Sequence, residues 1–232
     1  MDKKVIGIIG GTGPLATADL FQKIVLHTRA ATDREHLHVL IDNNTAIPDR
    51  TAAILSGGED PTAELIKSAR LLEAAGAELL VMPCNTAHYF HAAVQASVKI
   101  PLLNMIGLTY EALLARGVRT AALLATRGTV SGGVYQRVFE GSLIRLLTPT
   151  EEEQAVITDL IYGGVKAGRW DYDATAARAV MERLCERGAE TLILGCTELP
   201  VAAGMYRLDF NTCDPTTELA LGAIRAAGGV CI

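Results

Sequence analysis

Two cysteines in this chain stand in nearly the same local sequence, one in each half. Residues 76–86 read GAELLVMPCNT and residues 188–198 read GAETLILGCTE, so the thiols of Cys84 and Cys196 recur 112 residues apart. An apolar run of strand length precedes each cysteine, and small polar residues follow it, as at the start of a helix. Each thiol is therefore predicted at the carboxyl end of a buried strand, where open α/β sheets hold their ligands. Two thiols facing each other across a pseudo-twofold axis could remove a proton from one face of a carbon and add one to the other.

The elements that must position these thiols alternate between strands and helices, which predicts parallel sheets with right-handed crossovers. In the first half we expect strands at 5–9, 37–41, 79–82 and just after 101, with helices at 14–29, 51–55, 60–75 and 86–98. The second half repeats this plan with strands at 119–125, 143–147 and 191–194 and helices at 128–140, 151–166 and 172–187. The tail is predicted as a strand at 207–210 and a helix at 215–226 that return to the first half.

These elements predict an α/β fold of two pseudo-symmetric lobes, each a parallel sheet flanked by helices. We expect an N-terminal α/β lobe of residues 1–105 plus 209–232, which carries Cys84, and a C-terminal α/β lobe of residues 106–208, which carries Cys196. No low-complexity stretch or long linker separates the halves. The active site is therefore expected in the cleft between the lobes, with both sulfurs in it.

Composition excludes several classes of function. The 232 residues are 50% hydrophobic and carry a formal net charge of −5 without a basic cluster, so nucleic acid is not an expected partner. No apolar segment approaches the ~20 residues that span a bilayer, so no membrane is expected either. The cysteines are odd in number and no signal-like stretch begins the chain, which predicts a cytoplasmic protein with reduced thiols. The other three are interpreted as structural or exposed: Cys185, Cys213 and Cys231.

A cysteine that opens a helix lies near the free amides and positive dipole end of that helix, which predicts a lowered thiol pKa for both Cys84 and Cys196. The alternative is that each cysteine merely packs in the core, as buried cysteines commonly do. The duplication argues against this, because core positions of two repeats can diverge among Val, Ala, Leu and Cys. The polar residues after each thiol also indicate a loop that faces a ligand, which favours a paired acid–base role.

Three segments resemble the signatures of the aspartate/glutamate racemase superfamily: residues 10–14 (GGTGP), 82–88 (MPCNTAH) and 194–199 (LGCTEL). The resemblance spans essentially the whole chain. It implies two pseudo-symmetric lobes, an active site between them, no cofactor, and a thiol/thiolate pair that epimerises the α-carbon of an amino acid. On this basis Cys84 and Cys196 are the expected catalytic residues, in a racemase that needs no pyridoxal phosphate.

Within that superfamily, residues 47–51 (IPDRT) and 162–168 (YGGVKAG) are similar to the aspartate racemase branch. The matching arginine and lysine there hold the side-chain carboxylate of the substrate, which points to Arg50 and Lys166, and an arginine fork suits a carboxylate. An acidic amino acid, aspartate or glutamate, is the implied substrate, and a homodimer the implied assembly. The α-carboxylate and ammonium groups are then expected to contact Thr12, Asn85, Thr86, Thr129 and Thr197. Position 12 departs from the branch, since many aspartate racemases have methionine there.

Two other patterns in the sequence suggest different sites. Residues 11–16 (GTGPLA) satisfy a dinucleotide-binding pattern with Asp42 downstream, but Pro14 removes an amide, and a tight turn under the substrate is favoured. His88 and His91 share a helix face with Cys84 and could bind a metal with Cys196, but a bridging metal would abolish the symmetry of the thiols, so no metal is expected. Two alternative functions remain open: a related isomerase or racemase acting on another dicarboxylate or a hydantoin, and a regulatory protein that binds a nucleotide or an amino acid without turnover.

Overall fold

The strands form where the sequence has short apolar runs. In the computed structural model, which describes residues 3–232, three parallel strands build a first sheet in the order β2-β1-β3. They are β1 (Ile6–Gly10), β2 (Val39–Asn43) and β3 (Leu79–Val81). Strands β1 and β3 are buried along their whole length, as parallel strands are when helices cover both faces of their sheet.

A second parallel sheet repeats this arrangement in the order β5-β4-β6-β7. Its strands are β4 (Thr120–Ala125), β5 (Arg145–Leu147), β6 (Thr191–Gly195) and β7 (Thr212–Cys213). The central strand β4 lies between β5 and β6, just as β1 lies between β2 and β3. Beside β3, Leu102 forms a single parallel bridge with Leu80, in the place that β7 takes beside β6. The predicted α/β class with two parallel sheets flanked by helices is confirmed.

Helices connect the strands and cover the sheets. The first five α-helices are α1 (Pro14–His27), α2 (Arg50–Leu55), α3 (Thr62–Ala74), α4 (His91–Ala96) and α5 (Met105–Ala115). The others are α6 (Arg127–Ser131), α7 (Val134–Phe139), α8 (Glu151–Asp159), α9 (Thr175–Glu186), α10 (Glu198–Met205) and α11 (Pro215–Ala226). Short 3-10 helices cover Asp33–Glu35 and Thr86–Phe90, and a π-helix covers Leu160–Lys166. Among the helices of residues 3–232, none has the length and apolar character that a membrane crossing needs.

The two lobes share packing through helix α5. Its Met105 lies in the apolar cluster of the first lobe, with Leu20 of α1 and Leu219 of α11. Its Leu113 lies in the cluster of the second lobe, with Tyr135 of α7. This helix therefore packs against the cores of both lobes.

Several predicted elements differ from the structure. The strand predicted at 207–210 is wrong, because the strand lies at Thr212–Cys213 and extends the second sheet, while α11 packs on the first lobe as predicted. The helix predicted at 128–140 is two helices, α6 and α7, which are separated at Gly133 with a left-handed φ of 65°. The helix at 151–166 turns from α to π geometry at Leu160. The division into lobes of residues 1–105 plus 209–232 and 106–208 stays a prediction.

Candidate active site

Cys84 and Cys196 line the same cavity, at the carboxyl ends of the two sheets. Cys84 follows β3 in the first lobe, and Cys196 directly follows β6 in the second. The volume of the cavity is about 40 Å³. This is space enough for ordered water, and the side chain of Lys166 on the cavity wall is 40% exposed.

Eight of the nine side chains predicted for the site line this cavity: Thr12, Arg50, Cys84, Asn85, Thr86, Lys166, Cys196 and Thr197. The ninth, Thr129, lies behind it. The Thr129 hydroxyl is fully buried and hydrogen bonds with the hydroxyl of Thr86 at 2.8 Å and with that of Thr126 at 3.1 Å. These three hydroxyls connect the first lobe to the second beneath the cavity, so Thr129 supports Thr86 and is not itself a lining residue.

The backbone of Cys84 is held by a buried histidine. Nδ1 of His88 bonds with the Cys84 carbonyl oxygen at 2.8 Å, and Nε2 of His88 accepts the backbone N–H of Met105 at 3.0 Å. Burial lowers the pKa of His88 to about 4, so the ring is neutral at physiological pH. Because Nε2 accepts, the proton of the neutral ring sits on Nδ1 and is donated to Cys84. His88 thereby ties the end of β3 to the start of α5.

The thiol of Cys196 is paired with a carboxylate. Sγ of Cys196 donates to Oε2 of Glu198 at 2.9 Å, and the Thr197 hydroxyl donates to the same oxygen at 3.1 Å. Burial, followed by the charge of Glu198, raises the pKa of the Cys196 thiol well above its ordinary value. The predicted lowering of its pKa is therefore wrong, because desolvation and the neighbouring carboxylate outweigh the helix start. In this arrangement Cys196 carries a proton, and Glu198 is placed to accept it.

Lys166 completes this group from the π-helix. Its Nζ lies 3.4 Å from Oε1 of Glu198 and 4.8 Å from the ring centroid of Tyr162. Burial disfavours the lysine charge, but the charge of the neighbouring Glu198 favours it, and the pKa of Lys166 is raised. A full positive charge thus stands at the cavity wall beside the second thiol.

Arg50 stands on the first-lobe side of the cavity. Asp49 caps helix α2 by accepting the N–H of Ala52 at 2.7 Å, and Arg50 is the first residue of that helix. The guanidinium donates to the carbonyl oxygens of Ile47 (3.2 Å), Pro48 (2.8 Å) and Thr12 (2.6 Å). Its Nε is buried and has no partner within residues 3–232. The carbonyls fix the plane of the guanidinium and leave donor capacity free.

Two further polar atoms at the cavity are buried without partners among the described residues. One is the hydroxyl oxygen of Thr12, and the other is Nδ2 of Asn85, whose Oδ1 accepts the hydroxyl of Tyr135 at 2.6 Å. Unpaired buried polar groups are costly, and these two belong to residues that line the cavity. Together with Nε of Arg50 they make a set of polar groups available to a ligand.

Sequence reasoning missed six lining residues: Asp49, Thr51, Thr126, Tyr162, Gly195 and Glu198. A signal for Glu198 was present, since a carboxylate two residues after a thiol at a helix start can fold back onto the sulfur. No comparable signal existed for Tyr162, because the predicted regular helix at 151–166 hides the π-helical turn that brings both Tyr162 and Lys166 to the cavity.

The glycine turn after β1 packs closely against other parts of the chain. Gly11 has φ 87°, and a side chain there would come within 2.1 Å of the backbone of Asn44. Its N–H donates to the Thr17 hydroxyl at 3.0 Å, and that hydroxyl donates to the Gly13 carbonyl at 3.1 Å. The turn thus serves close packing and places the Thr12 carbonyl against Arg50, as the tight-turn interpretation expects.

Both histidines of the alternative metal site contact the backbone. His91 uses Nε2 against the Leu102 carbonyl at 3.0 Å, and both ring nitrogens of His88 contact the backbone. Within residues 3–232, no group of three or more His, Cys, Asp or Glu side chains is arranged to hold a metal ion.

Several known proteins resemble this chain in sequence or in structure. The family model for Asp/Glu/Hydantoin racemases matches residues 9–221. The structure of the aspartate racemase of Picrophilus torridus superposes with a TM-score of 0.83 at 31% identity, covering 99% of this chain and 96% of that one. The broad specificity amino-acid racemase of Bacillus subtilis is 23% identical over 224 residues, 95% of this chain and 96% of its own length. The glutamate racemase of Deinococcus radiodurans is 32% identical over 143 residues, 59% of this chain but only 47% of its own.

Proposed function

The chain belongs to the Asp/Glu/Hydantoin racemase family, and we propose that it interconverts L- and D-aspartate by proton transfer at two cysteines, without a cofactor. The observation that carries this proposal is that Cys84 and Cys196 line one cavity from opposite lobes. An α-carbon held between them would face one sulfur with its hydrogen and the other sulfur with its opposite face.

The hydrogen bond that Sγ of Cys196 donates to Glu198 supports one order of proton transfers. With Cys84 as thiolate, it removes the α-proton, and Sγ–H of Cys196 delivers a proton to the opposite face. Cys84 then ends as the thiol and Cys196 as the thiolate, so charge and protons balance. For the other enantiomer Cys196 must start as the thiolate and Cys84 as the thiol, the form in which the first reaction leaves them. When the enzyme starts from the opposite form, Glu198, 2.9 Å from the Cys196 sulfur, takes the Cys196 proton and passes it to solvent while Cys84 takes one proton from solvent, so the proton count is unchanged.

Stabilisation of the deprotonated substrate must come from positioned donors, because an α-proton next to a carboxylate is a very weak acid. As the proton leaves, negative charge grows on the α-carboxylate, which becomes enolate-like. The unpaired Nδ2 of Asn85 and the hydroxyl of Thr12 are the donors proposed for it. Thr86 and Thr197 also line the cavity, while Thr129 enters the proposal as the support of Thr86.

The choice of an acidic substrate follows from the two cations at the cavity. Arg50 has a free buried Nε–H, and Lys166 adds a positive charge from the other lobe. An arginine edge and an ammonium group together suit a carboxylate side chain. The full-length likeness to the aspartate racemase of Picrophilus torridus favours aspartate over glutamate. We further propose a homodimer, which sedimentation equilibrium tests.

Chiral chromatography of all twenty amino acids after incubation with the purified protein tests this function. We expect aspartate to racemise fastest, glutamate more slowly, and apolar amino acids hardly at all. Racemisation of neutral amino acids as well as aspartate would agree with the two-thiol chemistry. It would contradict the proposed binding of a side-chain carboxylate by Arg50 and Lys166. Absence of racemisation for every amino acid would contradict the proposal as a whole.

A further inference from the structure

One buried hydrogen bond crosses from the second lobe to the active site of the first. Tyr135 lies on α7 and is fully buried, and its hydroxyl donates to Oδ1 of Asn85 at 2.6 Å. Asn85 is only 3% exposed, directly follows Cys84, and lines the cavity. The contact thus joins a core residue of one lobe to a wall residue of the other.

This bond fixes the orientation of the Asn85 amide. A side-chain amide presents an acceptor on one side and two donors on the other, and rotation by 180° exchanges them. Because Oδ1 is turned to the Tyr135 hydroxyl, Nδ2 is turned away from it, and Nδ2 is buried with no partner among residues 3–232. Burial also raises the pKa of Tyr135 well above its ordinary value, so the hydroxyl keeps its proton throughout the working range of pH.

An amide in this orientation suits an anion. An N–H group beside a carboxylate stabilises it, whereas a carbonyl oxygen in the same place would repel it. Since Asn85 directly follows Cys84, its amide reaches the substrate beside the α-carbon, where the α-carboxylate lies in the proposed reaction. Negative charge increases there as the proton leaves, so a donor at this position acts mainly in the transition state.

We infer that Tyr135 is a positioning residue that orients the Asn85 amide so that its N–H groups face the α-carboxylate of the substrate. This inference rests on the proposed function for the identity of the ligand. Tyr135 itself does not line the cavity, so it acts through Asn85 alone.

Tyr135→Phe removes the hydroxyl and keeps the ring. Without the hydroxyl, the amide of Asn85 is free to rotate and present Oδ1 to the carboxylate. Loss of one oriented donor should lower kcat/KM for aspartate by about tenfold to a hundredfold, chiefly through kcat. Tyr110→Phe is the matched control, because the Tyr110 ring packs against Phe139 in the same apolar cluster. We expect it to change kcat/KM by less than about twofold, because Tyr110 does not line the cavity.

A double-mutant cycle separates positioning from a merely structural role. In an Asn85→Ala background, adding Tyr135→Phe should have almost no further effect on kcat/KM, because the amide it orients is gone. If the tyrosine only stabilised the fold, its loss would reduce activity by the same factor in both backgrounds. Equal losses in the two backgrounds would overturn the inference.

The inference can also be tested without turnover, so that its failure is distinguished from failure of the proposed function. In protein with ¹⁵N-labelled asparagine, the Asn85 NH₂ resonances are followed while D- or L-aspartate is added. We expect aspartate to shift them in the wild type and to shift them far less in Tyr135→Phe. Unchanged wild-type resonances, or the same shift in both proteins, would overturn the inference. Absence of racemisation in the wild type would instead overturn the proposed function and leave this readout intact.

Discussion

Replacing Glu198 by glutamine tests the acid–base partner of the second thiol. Oε2 of Glu198 accepts the Cys196 thiol at 2.9 Å, and the amide of glutamine can still accept that bond but cannot take the proton. A positioned general base contributes roughly 10²- to 10⁴-fold to rate. We therefore expect Glu198→Gln to lower kcat/KM for aspartate by at least about a hundredfold, equivalent to about 3 kcal/mol of transition-state stabilisation.

The loss must be the same in both directions. L- and D-aspartate have equal free energies, so the ratio of the two kcat/KM values is one for any variant. Loss of stability is a poor alternative explanation, because the ion pair broken by the change is partly solvated: the Lys166 side chain is 40% exposed and 3.4 Å from Glu198. Such pairs contribute about 0.2–1 kcal/mol to the free energy of unfolding.

The assay is the change in circular dichroism of L- and of D-aspartate, with urea unfolding of each variant. Glu186→Gln is the matched control, since it removes the same charge from an exposed residue at the end of α9. A second readout is thiolate absorbance near neutral and alkaline pH. Because the Glu198 charge raises the pKa of Cys196, the thiolate should form at lower pH in Glu198→Gln. Activity within about twofold of wild type, with no change in thiolate titration, would refute the acid–base pairing.

Three further changes probe other parts of the site. Gly128→Ala would place a Cβ 2.6 Å from the Thr51 hydroxyl and 2.9 Å from the Thr51 Cα, in the other lobe. Because this clash would hold the lobes apart, we expect kcat/KM for aspartate to fall about tenfold or more. Gly204→Ala is the control and should be tolerated, since a Cβ there has no atom within 4 Å. Equal effects of the two glycine changes would contradict this. Arg50→Lys should raise KM for aspartate about tenfold or more by removing the side-on donor, and an unchanged KM would remove this residue from the binding site. The pKa of His88 is about 4 in the folded protein and 6.5 in the unfolded chain. The buried neutral ring therefore makes its full contribution to the free energy of unfolding above pH 6.5. Between pH 6.5 and 4 this contribution falls by about 1.4 kcal/mol per pH unit. Urea unfolding between pH 7 and 4 should show a shallower decline for His88→Gln, and parallel declines would contradict the buried neutral ring.

The repeat in the sequence predicted the positions of the thiols, because apolar strands followed by polar residues are strong local signals. Strand β6 and Cys196 lie where the pattern places them. The helix start expected after Cys196 is α10, but the same rules missed α5, although Asn104 caps its first turn. Tertiary packing on two lobes stabilises α5, and a local pattern carries no record of that.

The prediction of the site from the sequence was incomplete for a related reason. Lining residues next to a signature could be predicted, as for Asn85 and Lys166. Glu198 and Tyr135 act through contacts that depend on side-chain direction and on the meeting of two lobes. The pKa of Cys196 was misjudged for the same reason, since burial and the Glu198 charge arise only in the folded cleft. The spacing of residues along the chain shows neither the burial of Cys196 nor the approach of Glu198 to its sulfur.

Proton exchange in deuterated water by single-cysteine variants tests the central claim most directly, namely that two thiols attend opposite faces of one α-carbon. By proton NMR, wild-type protein should place deuterium at the α-carbon of both aspartate enantiomers while it racemises them. Cys84→Ser and Cys196→Ser should each abolish inversion, and each should retain slow α-exchange of only one enantiomer, a different one in each variant. Racemisation that survives in either variant, or exchange of the same enantiomer by both, would contradict the account.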